Sequence, residues 1–308
     1  MMGKPVRIAI ALLTISLASI LIWLLVRSNS TDPNISKNQE LRLLFIGNSF
    51  TSANALDQLA ANLFAELLPD KKNIVAKRVA PGGQTLAQHQ ENIANPAQNS
   101  PLRKLLVDGP EATQGWDLIV LQGQSQIPGL SQDFPEKAAL LQAAPLLHRH
   151  TRATGATTML FMTWGYAEGD AYNPNRYPDY LTMQAKLTQG YENLASHMST
   201  PEDTVFIAPV GLGFQLIYQD LKTQGKDPLA PNSLFRQLYA ADNKHPSLAG
   251  SYLTACVIIA AYTGRRTAPA TWVPKGLDPA IASSLRQVAD RLVLDDALFP
   301  DWYHQYPF

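Results

Sequence analysis

The stretch Leu41–Ser52, LRLLFIGNSFTS, changes character at its middle. Leu43, Leu44, Phe45 and Ile46 form an unbroken apolar run, which is what a strand covered on both faces of its sheet requires. Gly47 and Asn48 interrupt it, and both residue types accept tight backbone turns, including positive φ. From Ala55 to Leu68 the residues Leu56, Leu59, Leu63, Phe64 and Leu67 then recur at helical spacing. Ser49 therefore stands where the carboxyl end of a strand meets the amino end of a helix. A hydroxyl there is rigidly held and faces outward, and free N–H groups and the helix dipole stabilise negative charge beside it. Those conditions suit a nucleophile. They equally suit a helix N-cap, and on this stretch alone capping is the commoner use of a serine.

Working outward, four more apolar runs follow. Asn73–Val79 (NIVAKRV) ends at Ala80-Pro81-Gly82-Gly83, and Asp117–Leu121 (DLIVL) ends at Gln122-Gly123-Gln124-Ser125. Thr158–Met162 (TMLFM) ends at Thr163-Trp164-Gly165, and Val205–Ala208 (VFIA) at Pro209-Val210-Gly211. Between them, segments such as Glu136–Arg152 and Tyr180–Met198 show helical spacing of Leu, Ala and Tyr. Strands alternating with helices predict a parallel sheet with helices on both faces. Ligands of such sheets bind outside the carboxyl ends of the strands, so these turns and Ser49 are expected to share one rim. Trp164, at a strand end, either walls a substrate pocket or packs.

The last chemical element is Ala241–Tyr262, ADNKHPSLAGSYLTACVIIAAY. Asp242 and His245 lie three apart in a polar turn closed by Pro246, and Ser247 is placed to cap the helix that carries Leu253, Val257 and Ala260. A short Asp-x-x-His turn lets the carboxylate accept from one imidazole nitrogen and leaves the other free as a base. A final helix is predicted over Ala280–Leu294, followed by the aromatic tail FPDWYHQYPF, which reads as a lid over apolar surface. His148 and His150, two apart on a helix, point to different sides and cannot readily share a metal. His89, His197 and His304 read as surface or core residues.

With 308 residues, 16% charged and 46% hydrophobic, and a formal net charge of zero, the composition is that of a globular chain. The scattered Lys and Arg give no footprint for nucleic acid. The single cysteine, Cys256, forms no internal disulfide and reads as a small buried hydrophobe. No Cys/His cluster suggests a metal. Ile8–Val26 runs without a charge between Lys4/Arg7 and Arg27, long enough as a helix to span a bilayer. The expected organisation is a membrane signal anchor over residues 1–27, a polar tether over 28–40 and one catalytic domain over 41–308. Cleavage after Ser16-Leu17-Ala18 would give a secreted form instead. The flanking charges place the domain outside the cytoplasm. Asn34-Ile35-Ser36 fits a glycosylation sequon that chance accounts for.

Taken together, these blocks resemble the SGNH/GDSL hydrolase superfamily, and most closely a branch whose first block reads G-N-S-F-T. The resemblance covers Leu41–Gly264. Gly47-Asn48-Ser49-Phe50-Thr51 matches the first block, with Ser49 at the nucleophile position. Pro81-Gly82-Gly83-Gln84-Thr85 matches the second, with Gly83 supplying an oxyanion-hole N–H. Asp242-Asn243-Lys244-His245-Pro246-Ser247 matches the D-x-x-H block. The third block departs from the superfamily's G-x-N-D. Leu121-Gln122-Gly123-Gln124-Ser125 is similar instead to the branch's L-Q-x-Q-S, with Gln124 where an Asn donor would stand.

The resemblance and the bottom-up placement imply an α/β fold, a three-layer α/β/α sandwich with a five-stranded parallel sheet. They also imply a serine esterase: Ser49 nucleophile, His245 base, Asp242 its partner, with Ser49, Gly83 and Gln124 around the oxyanion. Gln122 and Trp164 are expected to wall the substrate pocket. No metal or organic cofactor is implied. The substrate suggested by the family is a carbohydrate or small-molecule ester bearing a small acyl group. The same machinery would serve an envelope-polysaccharide O-acyltransferase, and the same fold a non-catalytic glycan-binding module.

Overall fold

The computed structural model describes residues 39–295. The apolar run at Ile8–Val26, all but the last two residues of the tether and the aromatic tail lie outside them. Among the described residues no helix is long and apolar enough to cross a membrane.

Five parallel strands form one sheet in the order β2-β1-β3-β4-β5. They are β1 (Glu40–Ile46), β2 (Asn73–Val79), β3 (Leu118–Leu121), β4 (Thr157–Phe161) and β5 (Phe206–Ala208). The apolar run read from the sequence is a central strand: Leu43, Leu44, Phe45 and Ile46 are fully buried. β2 lies at the edge and is only partly covered, which is why it can carry Lys77 and Arg78. Their charges pair with Glu111 and Asp57.

The helices that position the site are α1 (Ser49–Ser52), α2 (Leu56–Leu67), α3 (Leu86–Ala94) and α4 (Pro135–Ala153). They continue with α5 (Tyr180–Met198), α6 (Val210–Thr223), α7 (Leu248–Thr263) and α8 (Pro279–Leu294). The crossover from β1 to β2 runs one way along the sheet, and those from β2 through to β5 run the other way. Right-handed crossovers therefore place α2 on one face and α3, α4 and α5 on the opposite face. The packing agrees: α2 lies against α7 and α7 against α8, while α3 lies against α4 and α4 against α5. α7 is buried along nearly its whole length, including Cys256, so its composition is apolar all round rather than striped.

Local signals explain the helix starts. Thr85 and Gln88 form a reciprocal capping box at α3, Asp179 caps α5, Ser247 caps α7 and Asp278 caps α8. Register brings Ile46, Val79, Leu121 and Leu160 level, so the following turns leave the sheet at one edge. β1 and β3 are neighbours whose connections diverge, and the crevice of an open α/β sheet lies at such a reversal. Ser49 follows β1 there.

Candidate active site

Ser49 opens α1, and Asn48 caps that helix by accepting the Phe50 N–H on Oδ1. The cap belongs to Asn48, which frees the Ser49 hydroxyl. The Ser49 Oγ lies 2.8 Å from His245 Nε2, across 196 residues of sequence. His245 Nδ1 lies 2.5 Å from Asp242 Oδ2. With the Nδ1 proton donated to the carboxylate, Nε2 is the acceptor for the serine hydroxyl. The second carboxylate oxygen, Oδ1, accepts the N–H groups of Lys244 (3.1 Å) and His245 (3.0 Å). Burial works upward on the Asp242 carboxyl. The bond from His245 and the two N–H groups outweigh it and hold the carboxyl below its ordinary range. The His245 and Asp242 side chains are 40% and 46% exposed, so this arrangement faces open solvent.

The D-x-x-H turn is pinned from several sides. Ala240 N donates to His245 O (2.8 Å), Ala167 N to Asn243 O (3.0 Å) and Ser247 N to Leu238 O (2.9 Å). Asn243 takes the left-handed conformation, φ 62°, which Asn tolerates better than most residues. Asn54 Nδ2 donates to Pro246 O (3.2 Å) and to Ser251 Oγ (2.9 Å), tying the Ser49 segment to the His245 segment.

Trp164 is expected either to wall the pocket or to pack, and it packs. It is fully buried, so it does not present a wall to substrate. Its ring stacks on Phe214 (4.2 Å) and Phe50 (5.1 Å), and its indole N–H donates to Lys244 O (3.0 Å). Phe50 in turn lies 5.1 Å from the His245 ring. Trp164, through Phe50, is the apolar backing of His245.

Gln122 also moves from the pocket wall to the frame. It is 1% exposed, and its Oε1 accepts both the Asn48 N–H (2.9 Å) and the Thr51 hydroxyl (2.9 Å). Gln122 thus clamps both sides of Ser49. The same clamp explains Gly47. Its φ is not positive; instead a Cβ there would lie 2.4 Å from Thr51 Oγ1 and 2.5 Å from Gln122 Oε1. Close approach, and not left-handed geometry, demands the glycine. From below, buried His89 donates Nε2–H to Gly47 O (2.8 Å). Burial pushes its imidazole pKa down, against the pull of that bond, and keeps the ring neutral.

Gly83 does need its conformation. It sits at φ +70° in a turn closed by Gln84 N donating to Pro81 O (3.2 Å), which leaves the Gly83 N–H unused by the turn. Gln84 O accepts from Asn48 Nδ2 (3.2 Å), so this loop is fastened beside the Ser49 turn. Gln124 is half-buried. Its Oε1 accepts the Gln126 N–H (3.1 Å), leaving the amide NH2 as its donor end. Thr85, Leu86, Gln124, Ile127, Ala139 and Leu140 line a cavity of about 100 Å³ where α3 and α4 meet the two loops.

The roles of Gln122, His89 and Asn54 are missed by sequence reading. Only the Gln122-x-Gln124 pair in a post-strand turn carried a signal, and it did not say which amide faces inward. His148, read as unable to share a metal with His150, is buried against Thr158 Oγ1 (2.9 Å) and Asp203 (3.0 Å). Among the described residues no cluster of His, Cys, Asp and Glu is arranged to hold a metal ion.

No family model and no curated protein matches the sequence. Solved structures do match in fold. A DUF4886 family protein from Bacteroides uniformis superposes with a TM-score of 0.58 at 20% identity, over 83% of this chain and 95% of that one. A protein from Slackia heliotrinireducens, described as a candidate SGNH hydrolase, superposes with a TM-score of 0.51 at 24% identity, over 71% and 97% of the two chains. With its strand order, its three layers and these likenesses, the described chain has the fold of the SGNH hydrolase superfamily.

Proposed function

We propose that the chain is a serine esterase that removes a short acyl group from a carbohydrate or other small ester. The observation that carries this reading is the pair of contacts Ser49 Oγ to His245 Nε2 (2.8 Å) and His245 Nδ1 to Asp242 Oδ2 (2.5 Å). Such a pair lets His245 take the hydroxyl proton as Ser49 attacks the ester carbonyl. Asp242, kept ionised, stabilises the imidazolium that forms and fixes its tautomer. The Ser49 and Gly83 N–H groups and the Gln124 amide receive the oxyanion. The C–O bond to the alcohol breaks as His245 returns its proton to the departing oxygen. Water, activated by the same imidazole, then frees the acid and restores the serine.

The likeness to a candidate SGNH hydrolase supports ester hydrolysis in general. Open exposure of the catalytic pair suits a substrate larger than the acyl group alone. We place the domain outside the cytoplasm, held by the apolar run at Ile8–Val26.

The test is kinetic and chemical. The protein should label with a fluorophosphonate and hydrolyse acetyl esters faster than octanoyl esters. Ser49→Ala should abolish labelling and cut turnover by several orders of magnitude while remaining folded. Wild-type turnover in folded Ser49→Ala protein would sink the mechanism. Transfer of the acyl group to added sugars at the expense of free acid would instead identify an O-acyltransferase.

A further inference from the structure

The segment after β4 carries Tyr172, at 86% exposure the most exposed large apolar or aromatic side chain among the described residues. Its place is nonetheless built. Asp170, 1% exposed, accepts the Tyr172 N–H on Oδ1 (3.1 Å). Its Oδ2 accepts Asn173 Nδ2 (2.6 Å) and Gln126 Nε2 (2.8 Å), the last from the segment after β3. Lys244 Nζ stands 3.8 Å from Asp170 Oδ1 and 4.8 Å from the ring centroids of both Tyr166 and Tyr172. Lys244 lies in the chain between the two residues of the D-x-x-H pair. A buried carboxylate is costly unless it is paired and bonded, and this one is satisfied by the residues that orient Tyr172 and Lys244.

The chain says which side of the substrate this rim meets. Lys244 directly precedes His245, and its ammonium reaches the Tyr172 ring, so the rim begins beside the imidazole. The alcohol part of an ester receives its proton from His245, and it is this part that the rim adjoins. An aromatic face carries negative quadrupole charge and attracts the weakly positive C–H face of a pyranose, while an ammonium beside it donates to ring hydroxyls. A flat aryl group would use the ring alone. The Asp170 carboxylate beside Lys244 offsets its charge, so an anionic substituent is not what the pair selects.

We infer that Tyr172 and Lys244 form a subsite for the sugar ring of the departing alcohol, so that the substrate is an acylated glycan. The inference rests on the esterase reading for which side of the substrate lies there. Glycan binding itself is measurable without turnover.

Two measurements on the full chain test it. First, calorimetric titration with unesterified xylohexaose, cellohexaose and chitohexaose should show binding of at least one. Tyr172→Ala should weaken that binding by about tenfold, in line with what one aromatic contact contributes, and Tyr172→Trp should restore it. Second, the ratio of kcat/KM for the acetylated form of that glycan to kcat/KM for vinyl acetate should fall about tenfold in Tyr172→Ala. The fall should appear mainly in KM. None of the three glycans binding, or binding unchanged in folded Tyr172→Ala protein, would overturn the subsite. Equal loss on both esters would overturn it too. Tyr172-dependent glycan binding without any ester turnover would retain the subsite and discard the esterase.

Discussion

Two glutamines two residues apart in the third block stand in different surroundings, one buried and bonded and one half-buried, and their variants should behave differently. Gln122 accepts two buried donors with one oxygen, so Gln122→Ala leaves the Asn48 N–H and the Thr51 hydroxyl without a partner. The expected cost is about 2–4 kcal/mol of stability, with loss of turnover because the nucleophile turn is unmoored. Gln124→Ala should leave stability nearly unchanged and lower kcat by about a hundredfold to a thousandfold, with little change in KM. Urea denaturation and steady-state kinetics on the same preparations separate the two; exchanged behaviour would reverse the assignments. His89 adds a pH signature. Burial depresses its imidazole below the ordinary value of 6.5, so the unfolded chain takes up a proton that the folded protein resists. Its share of stability is whole above about pH 6.5 and is lost as pH falls toward the depressed folded value. The urea midpoint should decline between about pH 7 and 5, and His89→Gln should flatten that decline. An unchanged slope would locate the acid sensitivity elsewhere. Ser49, Asp242 and His245 were legible because each sits in a short motif beside a strand end or helix start. Gln122, His89 and Trp164 were not legible in these roles, because a buried amide or ring reads in sequence like any polar or aromatic residue. What it bonds to depends on which turn lies across the rim.

At the scale of elements, the junction between α1 and α2 is where the chain departs from easy geometry. Asn54 and Ala55 are consecutive left-handed residues, with φ of 53° and 52°. Asn accepts that region at modest cost and uses its side chain on Pro246 O and Ser251 Oγ, whereas Ala has no such compensation. Ala55→Gly should therefore gain about 0.5–1 kcal/mol, the relieved strain less the added backbone entropy. Asn54→Ala should lose about 1–3 kcal/mol and lower kcat, because the D-x-x-H turn loses its tie to the nucleophile segment. Thermal melts and kinetics check both; a stabilised Asn54→Ala would mean the tie is slack. The strands and long helices were read from the sequence to within a few residues because their apolar runs and 3.6-residue periods are strong. The kink at Asn54–Ala55 has no such period. Nothing in ANA announces it, since the strain is imposed by packing against α7.

Over the whole molecule, the two directions of chain travel from the sheet's centre create the crevice, and no motif is needed to find it once the strand order is known. Alternating strands and helices fix a parallel sheet but leave its permutation open; only the family resemblance, through its flavodoxin-like fold, implied the order. The amino-terminal run at Ile8–Val26 predicts that full-length protein sediments with membranes and resists carbonate, while a chain starting at Glu40 stays in the supernatant. A mature amino terminus near Ser19 in exported protein would show cleavage instead. Ser49 and His245 stand 196 residues apart, on the segments that follow the interior strand β1 and precede the buried helix α7. During synthesis Ser49 emerges early and has no His245 beside it until nearly the whole chain has been made and α7 has docked. Chemistry that needs the pair would thus be among the last properties the chain acquires as it folds. In a refolding experiment it should trail the return of the sheet.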